Sequence, residues 1–202
     1  IDLSASHLEN AVLTPEDQKM FLDIIRRTSK RINQLINELL SATKFSELKQ
    51  EKISVNELLE ETLHEAGDRV QLNHISIEKK YIQPDIWLNV DRAQMKIALL
   101  NIIVNAIEAT TPEKGKLMVE SALVNGYCVI TIRDNGKGMD AESLSKIFDP
   151  YFTSKIKGNG LGLTNTQNIV LNHKGKIQVY SAPGRGSEFV ISLNVLQEKI
   201  MD

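Results

Sequence analysis

The sequence has little of several things that would narrow its function at once. One cysteine among 202 residues excludes an internal disulfide and any cysteine-built metal site. That residue, Cys128, lies in an apolar strand-like run, so a buried and inert thiol in reducing surroundings is expected. No charge dominates: 24 Lys and Arg against 26 Asp and Glu leave a formal −2, which gives no reason to expect nucleic acid or an anionic membrane as partner. No apolar run approaches the roughly 18 residues of a membrane span. The best of them, "IALLNIIVNAI" at 97–107, carries two asparagines. A starting methionine is lacking too. The chain opens at Ile1 inside a helical-looking stretch and reads as part of a longer protein, so any membrane attachment is expected only through upstream regions.

What is present suits a globular chain: 42% hydrophobic residues against 25% charged can supply a real core. Residues 1–47 lack strand patterning. "TPED" at 14–17 reads as a helix start, with Thr14 as N-cap, Pro15 at the first helical position and acids in the first turn. Phe21, Ile24, Thr28, Ile32, Leu35 and Leu39 then recur at intervals of three and four, which predicts an amphipathic helix to about Thr43. With residues 1–12 as the tail of a preceding helix, the segment reads as a hairpin, and hairpins of this kind pair into four-helix bundles. From about Leu48 the texture is mixed α and β. A short strand enters a helix through Asn56, and strands follow at "ISIEKKYI" and "IWLNV", separated by a Gln83-Pro84-Asp85 turn. An apolar helix is expected over 91–110, strands at 116–124 and 127–133, a helix at 161–173, and strands at 176–181 and 187–193. Residues 134–160 are glycine-rich and expected to be irregular, and loops that long are usually lids or binding loops.

Four stretches carry candidate chemistry. On the 91–110 helix Asn101 and Asn105 are four apart and share a face, so an otherwise apolar helix presents two amides. Either they bond to backbone, or an amide oxygen serves as a hard ligand for magnesium, which keeps several waters and leans on substrate phosphates. In "DNGKGM" at 134–139 an aspartate at a strand end precedes two spaced glycines. A plain turn accounts for that, but a carboxylate can also accept from an exocyclic amine while glycines admit a flat ring. "KGNGLGL" at 157–163 runs straight into a helix, where exposed N–H groups and the helix dipole favour an anionic phosphate. Its spacing fits neither the dinucleotide fingerprint nor the P-loop. "PGRGSEFVISL" at 183–193 is a tight turn between the last two strands.

This ordered set resembles the ATP-binding domain of sensor histidine kinases, in the superfamily shared with gyrase, heat-shock chaperone and mismatch-repair ATPases. "NIIVNAIEA" is similar to the family's N box, "DNGKGM" to the first G box, "IFDPYFTSK" to the F box, "GNGLGL" to the second G box and "GRGSEF" to the last glycine turn. The likeness covers about 48–195, and "PYFTSK" with "LTNTQNIVLNHKGKI" looks most like the nitrogen-regulator branch. It implies an α+β fold: a two-layer sandwich of a mixed sheet with helices on one face over 48–202, preceded by the dimerisation hairpin of residues 1–47 in a dimeric bundle. The cofactors implied are ATP and Mg2+, with Asn105 on the metal and Asn101 supporting the metal or phosphates. Asp134 would bond the adenine amine, and Gly136, Gly138 and Met139 would line the base pocket. Phe148 and Phe152 would anchor a lid and Lys155 would face the phosphates. Gly158, Gly160, Leu161 and Gly162 would form hinge and cradle, and Ser187 would sit near the adenine.

Partners implied are a second copy of the chain and a response-regulator receiver domain, in the cytoplasm. In the superfamily's hydrolysing branch a glutamate stands four residues before the metal asparagine as general base. Asn101 stands there instead and has no basic lone pair, so little hydrolysis is expected. The family's phosphoacceptor histidine, followed by an acid, a basic residue and Pro-Leu, has no match. His7 is followed by "LENAVLTP", and the acceptor is expected upstream of Ile1. His173 falls near a helix end, where a capping role is expected. Two other readings stand beside the kinase: a serine kinase of the anti-sigma type, which would lack the long capped helix, and a non-catalytic dimerisation or signalling module, which would not need Asn105, Asp134 and the motif glycines.

Overall fold

The structure, a computed structural model, describes residues 14, 17–29, 48–155 and 158–196. The chain divides into two compact units, Ile1–Lys44 and Phe45–Asp202. In the first, residues 17–29 are helical. Thr14 caps them as the sequence predicts: its hydroxyl accepts from the Asp17 N–H at 3.2 Å while the Asp17 carboxylate takes the Thr14 N–H at 3.2 Å. Two orphan donors are thereby satisfied reciprocally. The expected continuation to Thr43, the preceding helix and His7 lie outside the described residues.

The second unit begins with β1 (Glu51–Ser54), α1 (Val55–Glu65) and α2 (Gly67–Leu72). Next come β2 (Ser76–Lys80), β3 (Trp87–Val90), α3 (Arg92–Ala109), β4 (Lys116–Val124) and β5 (Tyr127–Asp134). Then follow α4 (Ala141–Lys146), α5 (Gly162–Asn172), β6 (Lys176–Ser181) and β7 (Ser187–Asn194). The main sheet has the order β2-β4-β5-β7-β6, parallel only between β2 and β4, and β1 pairs antiparallel with β3 in a separate two-stranded sheet. Among the described residues no helix is long and apolar enough to cross a membrane.

Period-two burial explains the layers. Leu117, Val119 and Ser121 of β4, Cys128, Ile130 and Ile132 of β5, and Phe189, Ile191 and Leu193 of β7 all turn inward. Against that face lies α3, with Met95, Ala98, Leu99, Ile102, Ile103, Ala106 and Ile107 buried, and α1, with Leu58, Leu59 and Leu63. Helices on one face of a mixed sheet are the expected two-layer sandwich. Burial, and after it the Asp85 carboxylate, pushes the Cys128 thiol up to about 12, which suits an inert core residue.

Three local features differ from expectation. Helix α1 is capped by Ser54, whose hydroxyl accepts the Glu57 N–H at 2.9 Å, and Asn56 lies inside it. Asn56 instead bridges outward, donating to the Ile82 carbonyl at 3.1 Å and accepting from the Ser121 hydroxyl at 2.9 Å. Ser54-x-x-Glu57 was the start signal present in the sequence. The stretch 134–160 is not wholly irregular: Asp140 caps α4, accepting from the Ser143 N–H at 2.7 Å. The six-residue α2 adds a turn of helix for which the apolar pattern carries no signal, since none of its side chains is buried.

Candidate functional site

The site is built where β5, α3 and the chain after α4 meet. In β5 the alternation that buries Ile130 and Ile132 continues to Asp134, which faces the core side where the strand ends. Its carboxylate is therefore buried, at 5% exposure, and burial pushes it above the ordinary aspartate range. Two backbone donors work in the opposite direction, the Gly136 N–H at 2.7 Å and the Ser187 N–H at 3.3 Å, and both land on Oδ1. Oδ2 carries no hydrogen bond among the described residues, so one carboxylate oxygen is held by the fold and the other is left to accept from something else.

The turn after Asp134 is wedged between the end of α3 and the last hairpin. The Lys137 N–H donates to the Ala109 carbonyl at 3.0 Å, and the Lys137 carbonyl accepts from Gly184 at 2.7 Å. At Gly138 (φ +65°) a Cβ would meet the Ala182 carbonyl oxygen at 1.9 Å, and at Gly136 it would meet the Ala109 oxygen at 2.5 Å. Both glycines are thus required by the protein's own backbone. The Ser181 hydroxyl ties the turn to the hairpin, accepting from the Met139 N–H at 2.9 Å and donating to the Gly186 carbonyl at 2.8 Å.

The N-terminal end of α3 is anchored twice. Asp91 caps it through the Gln94 N–H at 3.0 Å, and the Asp91 N–H donates to Nε2 of His173 at 2.9 Å. Nδ1 of His173 then donates to the Ile169 carbonyl at 2.7 Å, so both ring nitrogens are used at the end of α5. Asn101 and Asn105 do different work. The Asn101 amide donates to the Gly162 carbonyl at 3.1 Å and to the Thr166 hydroxyl at 3.4 Å, fastening α3 to the start of α5. Asn105 faces the cleft, and its Oδ1 accepts from Nζ of Lys155 at 2.6 Å, the same ammonium that meets Glu108 Oε2 at 2.5 Å.

Between these groups lies a cleft of about 240 Å³. It brings together Asn105, Asp134, Gly138, Met139, Phe152, Lys155, Gly158, Gly160, Gly162 and Ser187 from the sequence-derived set. Asn101, Gly136, Leu161 and Phe148 stand behind that lining: Leu161 is buried, and the Phe148 carbonyl accepts from the Thr164 hydroxyl at 3.0 Å. Sequence reasoning missed Glu108, Ala109, Lys137, Thr153 and Phe189, all of which line the cleft. Glu108 had a signal, since it lies three residues after Asn105 on the same helical face.

Residues 90–197 match the family described as histidine kinase-, DNA gyrase B-, and HSP90-like ATPase. The chain belongs to this family. Among relatives of this ATPase family, the signal transduction histidine-protein kinase AtoS of Escherichia coli strain K12 is 35% identical, over 87% of this chain and 29% of that protein. The catalytic domain of histidine kinase ThkA is 28% identical with a TM-score of 0.66, covering 72% of this chain and 95% of that one. ThkA in complex with the response regulator protein TrrA is 25% identical with a TM-score of 0.73, covering 94% of this chain and 55% of that one. The chain spans less than half the length of the curated relatives it matches.

The donor set fits a divalent ion that arrives with its nucleotide. Asn105 Oδ1 is a hard oxygen that already accepts from a cation, the Lys155 ammonium. Among the described residues no group of three or more His, Cys, Asp or Glu could hold a metal by itself. Magnesium is commonly held by one or two protein oxygens plus substrate phosphates, so a single amide oxygen in the cleft is a sufficient protein donor.

Proposed function

We propose that the chain is the ATP-binding catalytic core of a sensor histidine kinase. It would bind Mg-ATP in this cleft and pass the γ-phosphoryl group to a histidine for relay to an aspartate of a response-regulator receiver domain. The observation that carries the nucleotide assignment is Asp134, a buried carboxylate with Oδ1 bonded to backbone and Oδ2 left without a partner among the described residues. An adenine amine is the complementary donor. Guanine would present a carbonyl there, acceptor against acceptor.

Phosphoryl transfer asks the protein mainly to position the reactants and neutralise charge. Asn105 would hold the magnesium, which supplies charge neutralisation at the phosphates. Lys155 brings an ammonium to the same end of the cleft, and the N–H groups at the start of α5 face anionic oxygens favourably. Asn101 is spent on Gly162 and Thr166, and an amide is no base for water, so the γ-phosphoryl group is kept for another acceptor. Pairing with a second copy through the N-terminal hairpin, and a cytoplasmic setting where ATP is available, complete the reading. The likeness to ThkA, whose structure in complex with a response regulator is known, supports the partner.

Calorimetry with Mg-ATP and Mg-GTP, alongside a phosphate-release assay, tests the proposal. ATP is expected to bind at least about tenfold more tightly than GTP, the cost of an unmatched buried acceptor, with slow steady-state release. Equal binding of the two, or rapid hydrolysis, contradicts it.

A further inference from the structure

Asn105 Oδ1 does not stand open in this structure. The loop between α4 and α5 sends Lys155 across to α3, where one ammonium meets two acceptors a turn apart, Asn105 Oδ1 at 2.6 Å and Glu108 Oε2 at 2.5 Å. The other oxygen of Glu108 lies 3.6 Å from Arg69, so each carboxylate oxygen faces its own cation and the group is held in orientation. Backbone bonds brace the loop: Tyr151 N–H to the Gly160 carbonyl at 3.0 Å closes its base, Gly158 N–H to the Lys155 carbonyl at 3.2 Å follows, and the Phe148 carbonyl accepts from the Thr164 hydroxyl of α5. Lys155 therefore connects this loop to the helix on the far wall of the cleft.

We propose that Lys155 is a built-in cation that shuts the phosphate end of the cleft in the nucleotide-free chain, with Glu108 as the residue that positions it. The proposal rests on the nucleotide-binding reading of the cleft. A divalent ion bound at Asn105 Oδ1 would stand beside the ammonium, and two cations on one oxygen repel, so the two compete for it. Nucleotide arrival frees the lysine from Asn105 and releases its loop from α3, which couples the loop's position to occupancy. Glu108 has no need to touch nucleotide in this scheme. It sets how firmly the loop is held beforehand, and thus what fraction of the chain is open to binding.

Hydrogen–deuterium exchange on the full chain tests this, with Glu108→Gln, Lys155→Met and the double variant. The Lys155 and Glu108 side chains are partly exposed, at 36% and 44% respectively, so the fold should tolerate the changes. Without nucleotide, each single substitution is expected to speed exchange of the loop amides about threefold, the scale of a partly exposed pair. The double variant should be no faster than Lys155→Met alone, because that change already removes the Glu108 contact. With saturating Mg-ADP the Glu108→Gln variant and the parent should exchange alike. Unchanged exchange in the singles, independent effects that multiply in the double, or a Glu108→Gln effect that persists with nucleotide bound would each overturn the proposal. A parent that binds no nucleotide would overturn the kinase reading instead, and the nucleotide-free comparison would still decide whether Glu108 holds Lys155.

Discussion

Oδ1 of Asp134 lies 2.7 Å from the Gly136 backbone nitrogen, two residues further along the chain. The bond turns the carboxylate into its own strand end, and the second N–H, from Ser187 at 3.3 Å, arrives on the same oxygen from β7. A buried acid is thereby held with one oxygen committed and one open.

Asp134→Asn should separate binding from folding. The amide oxygen can still accept from Gly136 and Ser187, but an NH2 group replaces the acceptor that meets the adenine amine. Mg-ATP affinity is expected to fall by at least about tenfold, while urea denaturation shows a stability equal to or above the parent's at neutral pH. Loss of the folded state would contradict this.

The pH dependence has a definite sign. Burial raises the Asp134 carboxyl above its unfolded value, so over that window the folded chain keeps a proton that the unfolded chain has released. Its contribution to stability accordingly falls as pH rises through the window, and Asp134→Asn should flatten that slope. Nucleotide binding runs the other way, because the amine needs the ionised acceptor. Affinity measured by calorimetry should weaken on acidification starting above the ordinary aspartate range.

Two glycines in the motifs should respond differently to alanine. At Gly138 the φ is positive and the Ala182 oxygen lies 1.9 Å from where a Cβ would stand, so Gly138→Ala should cost about 2–4 kcal/mol in urea denaturation. At Gly162 the nearest atom is Asn101 Cγ at 3.6 Å, an ordinary contact, so Gly162→Ala should change stability by less than about 1 kcal/mol. Equal losses at the two positions would refute the backbone account of the first turn.

His173→Ala should unfasten α5 from the start of α3. It removes both ring bonds and leaves the buried Asp91 N–H without its acceptor, at a cost of about 2–4 kcal/mol by chemical denaturation. A surface histidine would cost almost nothing.

Much of this was legible in the sequence, for physical reasons that differ by element. β4, β5, β6 and β7 alternate cleanly because one face is covered and the other is not, so their bounds fall within a residue of those expected. Helix α3 is legible as an unusually apolar run, and Asp134 only through the ordered set of four stretches, since a plain turn accounts for its own motif. Helices α2 and α4 escaped because neither buries a side chain. Spacing puts Glu108 on the Asn105 face, but its role escaped because that depends on where a distant loop places Lys155. The role of Gly136 and Gly138 also needed coordinates: their closest neighbours are protein carbonyls in segments remote in sequence.

A crystal structure grown with magnesium and a non-hydrolysable ATP analogue tests the central claim most directly. The account predicts the adenine amine within about 3.2 Å of Asp134 Oδ2, Asn105 Oδ1 about 2.1 Å from the ion, and Lys155 displaced from Asn105. A base bound away from Asp134, or an Asn105 oxygen still held by Lys155 with the ion elsewhere, would contradict it.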